Sequence, residues 1–232
     1  MSVMISDASA PFAVSLARSL GSRGWSVSLL SGAAGESGLA DDPGDGVSVV
    51  AWNRPSALSA RTVAVALKNA HRGLDHAVIV FDPRALARQA DGADGSALSV
   101  SVDRLVRGYL LLVHEIGSLF VAQGRGRLTL AVRESEGGSA GTRGESAART
   151  FPFSAESVVA VARGAFVALA EETAAAFGST GNPALQTFLA RLDPVDDALN
   201  LEWLAARLHA ENPARSQGAW VKAGARGIFG II

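Results

Sequence analysis

Short apolar runs alternate with longer stretches of helical periodicity along the whole chain. Runs at 2–6, 25–30, 47–52, 76–81, 127–132, 184–190 and 218–222 are rich in Val, Ile, Leu and aromatic residues and predict strands. Between them, stretches at 10–23, 55–71, 100–123, 154–177 and 200–210 repeat apolar positions every three or four residues and predict helices. Strands that alternate with helices of this length build a parallel sheet covered on both faces. The run His76-Ala-Val-Ile-Val-Phe81 is nearly all apolar, as a central parallel strand should be. The expected fold class is α/β: a doubly wound parallel sheet of about seven strands with helices on both faces. One domain over 1–232 is expected, because no Pro/Ser-rich linker divides the chain.

Three stretches are too rich in turn-formers to bury a core and read as loops: 31–46, 90–97 and 133–150. With 232 residues and 48% hydrophobic content, the chain can bury one substantial core. A net charge of −1 gives no pull towards nucleic acid or an anionic membrane. The absence of cysteine excludes disulfides, thiolate metal sites and thiol nucleophiles, and fits a reducing cytoplasm. The opening Met-Ser-Val-Met-Ile-Ser-Asp has no basic region, so a signal peptide is not expected. The longest apolar stretch, Val158 to Ala170, is broken by Arg163, short of the roughly 18 apolar residues of a membrane span. A cytoplasmic protein is expected.

Residues 3–30 read strand, turn, helix, strand, the frame of a dinucleotide-binding unit. In such a unit the turn is glycine-rich, so that backbone can approach a pyrophosphate resting on the helix N-terminus. Here the turn is Asp7-Ala8-Ser9-Ala10-Pro11-Phe12-Ala13. Side chains fill the space that glycines would leave, and Asp7 adds a negative charge. Asp7 or Ser9 is expected to cap the helix instead. The second strand ends Leu29-Leu30-Ser31-Gly32, without an acidic residue for a ribose or an Arg for a 2′-phosphate.

In layout the chain resembles the short-chain dehydrogenase/reductase family over nearly its whole length. Leu74-Asp-His-Ala-Val-Ile-Val80 stands where the family has its Asn-Asn-Ala-Gly strand, and 108–132 resembles its fourth helix and fifth strand. The stretch 154–177 resembles the helix carrying the Tyr-x-x-x-Lys motif, and 212–227 the closing segment. The resemblance implies a Rossmann-like fold, a nicotinamide cofactor, and glycines where this chain has Asp7, Pro11 and Ala13. It places the Asn-Asn-Ala-Gly run at Ile79-Val80-Phe81-Asp82 and the helix-four asparagine near Leu105. The catalytic serine falls near Arg133, with Ser135 the nearest hydroxyl, and the Tyr and Lys fall at about Ala155 and Val159. The one tyrosine, Tyr109, and the two lysines, Lys68 and Lys222, all lie elsewhere, so a Tyr-x-x-x-Lys motif is impossible here. Proton transfer to a carbonyl needs a donor of tuned pKa, which alanine and valine cannot supply. Only about nine residues, Arg191 to Leu199, stand where the family inserts a longer helical lid.

No catalytic, cofactor-binding or metal residue is therefore assigned, and no cofactor is expected. His71, His76, His114 and His209 are scattered without metal spacing. Glu171-Glu172 reads as a solvated face, and Asp193, Asp196 and Asp197 as turn and cap residues. The helices at 100–123 and 154–177 are more apolar than packing on one sheet face requires, and the resembled family pairs these helices across a dimer interface. The apolar end 227–232 is expected to dock. The expected function is a catalytically inactive member of that fold. It would be a structural or regulatory subunit of a hetero-oligomeric NAD(P)-dependent dehydrogenase/reductase acting on hydroxyacyl, ketoacyl or related carbonyl substrates. Its partner would be an intact short-chain dehydrogenase. The alternatives are a homodimeric small-ligand-binding module and a divergent enzyme using Asp82 and the 133–150 loop.

Overall fold

Ser2–Ile5 (β1) is buried at all four positions and pairs in parallel with a strand on each side, Ser26–Ser31 (β2) and His76–Phe81 (β4). From this centre a computed structural model, which describes residues 1–32, 43–85, 102–134, 155–210 and 218–224, extends the sheet both ways. Val47–Ala51 (β3) pairs with β2. Gly126–Arg133 (β5), Leu185–Leu192 (β6) and Trp220–Lys222 (β7) follow β4 in turn. The order is β3-β2-β1-β4-β5-β6-β7, every pair parallel, as the alternating pattern predicts. Chain direction across the sheet reverses between β1 and β4. A crevice at the carboxyl ends of the strands belongs at such a switch point.

Five helices cover the sheet among the described residues: Pro11–Gly21 (α1), Ala57–His71 (α2), Gly108–Gln123 (α3), Ala155–Ser179 (α4) and Asp197–His209 (α5). One face carries α2, α3 and α4, whose Val63, Leu112, Ile116, Phe120, Phe166 and Phe177 interlock with β4 and β5 side chains. The other carries α1 and α5, with Phe12, Leu16, Leu20, Leu204 and Leu208 in one cluster with strand residues such as Val3, Val27, Val80 and Leu192. All six residues of β4 are buried, which explains its unbroken apolar run.

Helix boundaries follow local chemistry. Pro11 opens α1, where its missing N–H is no loss. Ser56 caps α2 by accepting from Ser59 N, and Asp196 caps α5 by accepting from Leu199 N, the turn-and-cap role expected of that acidic cluster. A π-helical turn, Asp103–Arg107, leads into α3. By length and composition the helix Asp103–Gln123 could cross a membrane, yet Leu112, Ile116 and Phe120 are core residues against the sheet. The 90–97 loop, positions 100 and 101, most of the 133–150 loop with Ser135, and the apolar end at 227–232 lie outside the described residues.

Candidate functional site

Asp7 follows β1 at the mouth of the crevice, with φ +71°, a left-handed conformation uncommon for a residue bearing Cβ. Its carboxylate turns inward and is 2% exposed. Oδ1 accepts from the Ser9 N–H at 3.2 Å, from the Ser9 hydroxyl, and from Arg54 Nη2 at 2.5 Å. Asp7 therefore does not cap α1, and neither does Ser9. The N-cap is Ala10, without a side-chain cap bond, and both candidate caps are spent on one another. Arg54 comes from the turn after β3, 47 positions away in sequence. Its guanidinium lies 5.1 Å from the ring centre of Trp52 and 5.3 Å from that of Tyr109. Burial works against its charge, but Asp7 and Tyr109 together outweigh it and raise the pKa. The Tyr109 hydroxyl donates to Val80 O at 3.0 Å, and burial raises its pKa. Gly108 lets α3 lie close to this group. A Cβ there would stand 2.8 Å from Arg54 Cβ and 3.1 Å from its carbonyl oxygen.

A second ionic group closes the crevice beside β4 and β5. Arg133, the last residue of β5, donates from Nη1 to Asp82 Oδ2 at 3.2 Å, and both side chains are 3% exposed. Its Nη2 pairs with Asp197 in the first turn of α5, and its Nε donates to Pro194 O at 3.4 Å. Asp82 also accepts from Arg84 N through Oδ1. The four residues between β6 and α5 are thus tied down onto the strand ends. Asp193 holds them from within by accepting from Val195 N and Asp196 N, and Asn200 bonds Asp193 through both main-chain groups.

The resemblance places a cofactor phosphate at the Asp7 turn and the reacting carbonyl near Arg133. The residues present do not suit a dinucleotide. The Arg54 guanidinium is already spent on the Asp7 carboxylate, so the turn offers a phosphate no uncompensated positive charge. No glycine opens the turn to backbone contact.

Other expected positions are dispersed over the fold. Leu105 is a core residue at the π-turn, and Val159 is buried on α4. His76 and His209, read as scattered, gather on Trp25 at the amino ends of the strands. Trp25 Nε1 donates to His209 Nε2 at 3.0 Å, and the His76 ring centre is 5.1 Å from that of Trp25. His71 bonds Ser26 and Ser28 instead. His114 lies in an apolar groove of about 900 Å³ between α3 and α4, lined also by Leu110, Gly117, Val121, Leu169 and Phe177. Glu171 and Glu172 are exposed, and Glu171 accepts from Trp220 Nε1 at 2.8 Å. Sequence reasoning missed Arg54 as a partner for Asp7. The available signal was Trp52-Asn53-Arg54, an arginine three residues past the end of a strand and two past an aromatic residue.

No protein family's sequence profile matches the chain. An uncharacterized protein of Treponema pallidum (strain Nichols) is 36% identical over 230 residues, covering 98% of this chain and 95% of that protein. A 3-ketoacyl-ACP reductase from Sinorhizobium meliloti 1021 is similar in structure, with TM-score 0.66 and 17% identity over 97% of this chain and 98% of that one. A metagenomic short-chain oxidoreductase (SDR) in complex with NADP has TM-score 0.61 and 16% identity, over 96% of each chain.

Proposed function

Starting from a chain that belongs to one family with the Treponema pallidum protein and has the short-chain dehydrogenase/reductase fold, we propose that it is a catalytically silent member of that fold. It serves as a structural or regulatory subunit beside an intact, cofactor-bearing short-chain dehydrogenase in the cytoplasm. The observation that carries this reading is the Asp7–Arg54 pair, an internal salt bridge standing in the turn where the fold's ligands place phosphate. The Arg133 side chain, held by Asp82 and Asp197 where a catalytic serine would stand, supports it further. So does the impossibility of a Tyr-x-x-x-Lys motif.

The partner surface is the face of α3 and α4. Leu110 and Val121 on α3 are 52% and 54% exposed, and Val161 on α4 is 70% exposed. Scattered apolar residues are ordinary on a surface, but Leu110 and Val121 line one continuous groove. The partner's substrate would be a ketoacyl, hydroxyacyl or related carbonyl compound.

The test is affinity purification of the tagged chain from its native host, followed by mass spectrometry and an activity assay. A short-chain dehydrogenase recovered in equal amount, active only with its own cofactor, is the expected result. Turnover of carbonyl substrates by this chain alone with NADH or NADPH would end the proposal. A pure homo-oligomer without activity would favour the second reading, a homodimeric binding module. That reading draws on the same groove.

A further inference from the structure

Two histidines from different elements meet on Trp25 at the amino ends of the strands, at the opposite edge of the sheet from the crevice. Trp25 is buried, and its ring centre lies 5.1 Å from that of His76 and 5.0 Å from that of His209. His76 opens β4, and His209 is the last residue of α5. Two sets of bonds hold the end of α5 to the sheet here. Trp25 Nε1 donates to His209 Nε2 at 3.0 Å, and Arg127 Nη1 donates to Leu208 O at 3.4 Å and to Ala210 O at 3.0 Å. The other end of α5 is held separately, through Asp197 and Arg133.

Neither histidine has a place for an added proton while α5 is down. A tryptophan N–H can only donate, so His209 Nε2 offers a lone pair and the ring proton sits on Nδ1, which faces Ala205 O at 2.8 Å. A proton on Nε2 would set N–H against N–H and end the bond to Trp25. His76 is 7% exposed, and its Nδ1 is buried with no hydrogen-bond partner among the described residues. An imidazolium carries N–H at both nitrogens, so a protonated His76 would bury a donor without an acceptor. The charged and titratable groups around its ring give little relief. Arg127 from β5, the amino group of Met1 and His209 from α5 oppose a positive charge. Asp75, next to it in the chain, favours one, but that carboxylate already accepts from Ser2 and Arg125.

We propose that Trp25, His76 and His209 form an acid-released latch for the C-terminal end of α5. Closed, it needs both rings neutral. When the last turn of α5 lifts, the His76 ring reaches water and can take a proton, and the bond between Trp25 and His209 is given up. The start of α5 stays anchored by Asp197 and Arg133, and the same movement uncovers the buried Leu208 and Trp25. In the closed form burial first, and then Arg127, lower the His76 pKa to about 4, whereas a solvated imidazole titrates near 6.5. The closed form is therefore fully favoured above pH 6.5, and its advantage shrinks as pH falls from 6.5 towards 4. Between pH 7.5 and pH 5 the open-to-closed ratio rises about 30-fold. The latch is independent of whether the chain pairs with an intact dehydrogenase.

The experiment is amide hydrogen exchange on the ¹⁵N-labelled full chain at pH 7.5 and pH 5, corrected for the intrinsic pH dependence of exchange. The amides of Leu208, His209 and Ala210 report the latch, and those of β4 report opening of the whole fold. Protection at the end of α5 should fall about 30-fold on acidification and lie well below that of β4 at both pH values. His76→Gln, which stays neutral, should cut the fall to a few-fold. Its combination with His209→Gln, whose side-chain carbonyl can still accept from Trp25, should show no fall. His76→Leu takes the place of His76→Gln if the latter does not fold. The proposal is overturned if the parent shows no such fall, if the His76 variant falls as far as the parent, or if the double variant still falls. It is also overturned if the end of α5 exchanges no faster than β4, which would leave only unfolding of the whole chain.

Discussion

Arg133 and Asp82 face each other across the carboxyl ends of neighbouring strands, Nη1 to Oδ2 at 3.2 Å, with both side chains 3% exposed. A buried pair of this kind adds little over a well-packed apolar pair, but losing one member is expensive, because the other is left as an uncompensated charge. Arg133→Ala is expected to lower the unfolding free energy by about 3–5 kcal/mol. Replacing both, Arg133→Met with Asp82→Leu, should recover most of that loss. Urea unfolding of the three chains measures it. A single variant as stable as the parent would mean that water reaches the pair.

The Asp7 turn should separate charge from conformation. Asn tolerates a left-handed backbone better than most residues, so Asp7→Asn keeps the φ of +71° at little strain and removes only the charge facing Arg54. Asp7→Ala removes the charge and adds the cost of φ > 0 for an alanine. Both should be destabilised, with Ala worse than Asn by about 1 kcal/mol. Thermal unfolding in parallel decides it, and equal losses would show that the turn relaxes.

Gly108→Ala tests how closely α3 lies on the Arg54 turn. In an open helix the change would stabilise by about 1 kcal/mol. Here the new methyl would stand 2.8 Å from Arg54 Cβ and 3.1 Å from a backbone oxygen that cannot easily move. A net loss of about 1–3 kcal/mol is expected, the size typical of overpacking. A gain in midpoint would mean that α3 shifts freely along its face.

The architecture was readable in the chain because it rests on local periodicity. His76 to Phe81 reads as a central strand, and it is one; the helices at 10–23 and 55–71 differ from α1 and α2 by one or two residues at most ends. The missing Tyr and Lys were readable too, being a matter of composition. The ionic groups that fill the crevice were not. Asp7 and Arg54 lie 47 positions apart, and Arg133 lies 51 from Asp82 and 64 from Asp197. Nothing local distinguishes Arg133 from a solvated surface arginine, and for Arg54 the one local signal, Trp52 two residues before it, does not name its partner. Only the strand order, which sets β1 beside β4 and β4 beside β5, brings these partners to one edge of the sheet. Asp7 misled for a related reason. A carboxylate just before a helix usually caps it, and here a distant guanidinium competes for the same oxygen.

The α3–α4 face yields a prediction that separates assembly from folding. Leu110 and Val121 are about half exposed, so a charge at either costs the isolated chain little. Leu110→Glu should leave the unfolding midpoint within about 0.5 kcal/mol of the parent, yet abolish association, because a carboxylate buried in an apolar interface has no partner. Light scattering and partner recovery give the readout. Full assembly in the variant would move the partner surface off this face.

The final prediction concerns pH. His76 is 7% exposed, and its pKa is lowered to about 4, first by burial and then by the Arg127 guanidinium. Trp25 packs on the ring at a tilt of 55°, and Asp75 acts in the opposite sense. The folded pKa lies below the unfolded value near 6.5, so the unfolded chain binds the proton more readily. The contribution is therefore present above pH 6.5 and is lost as pH falls from 6.5 towards 4, by up to about 3 kcal/mol. His76→Leu does not titrate and keeps an apolar body beside Trp25. Its urea midpoint should fall less than the parent's between pH 7 and pH 4.5, and the difference between the two slopes isolates His76 from carboxylates that titrate in both chains. Parallel slopes would mean that the protonated imidazole reaches water without unfolding the amino-end cluster.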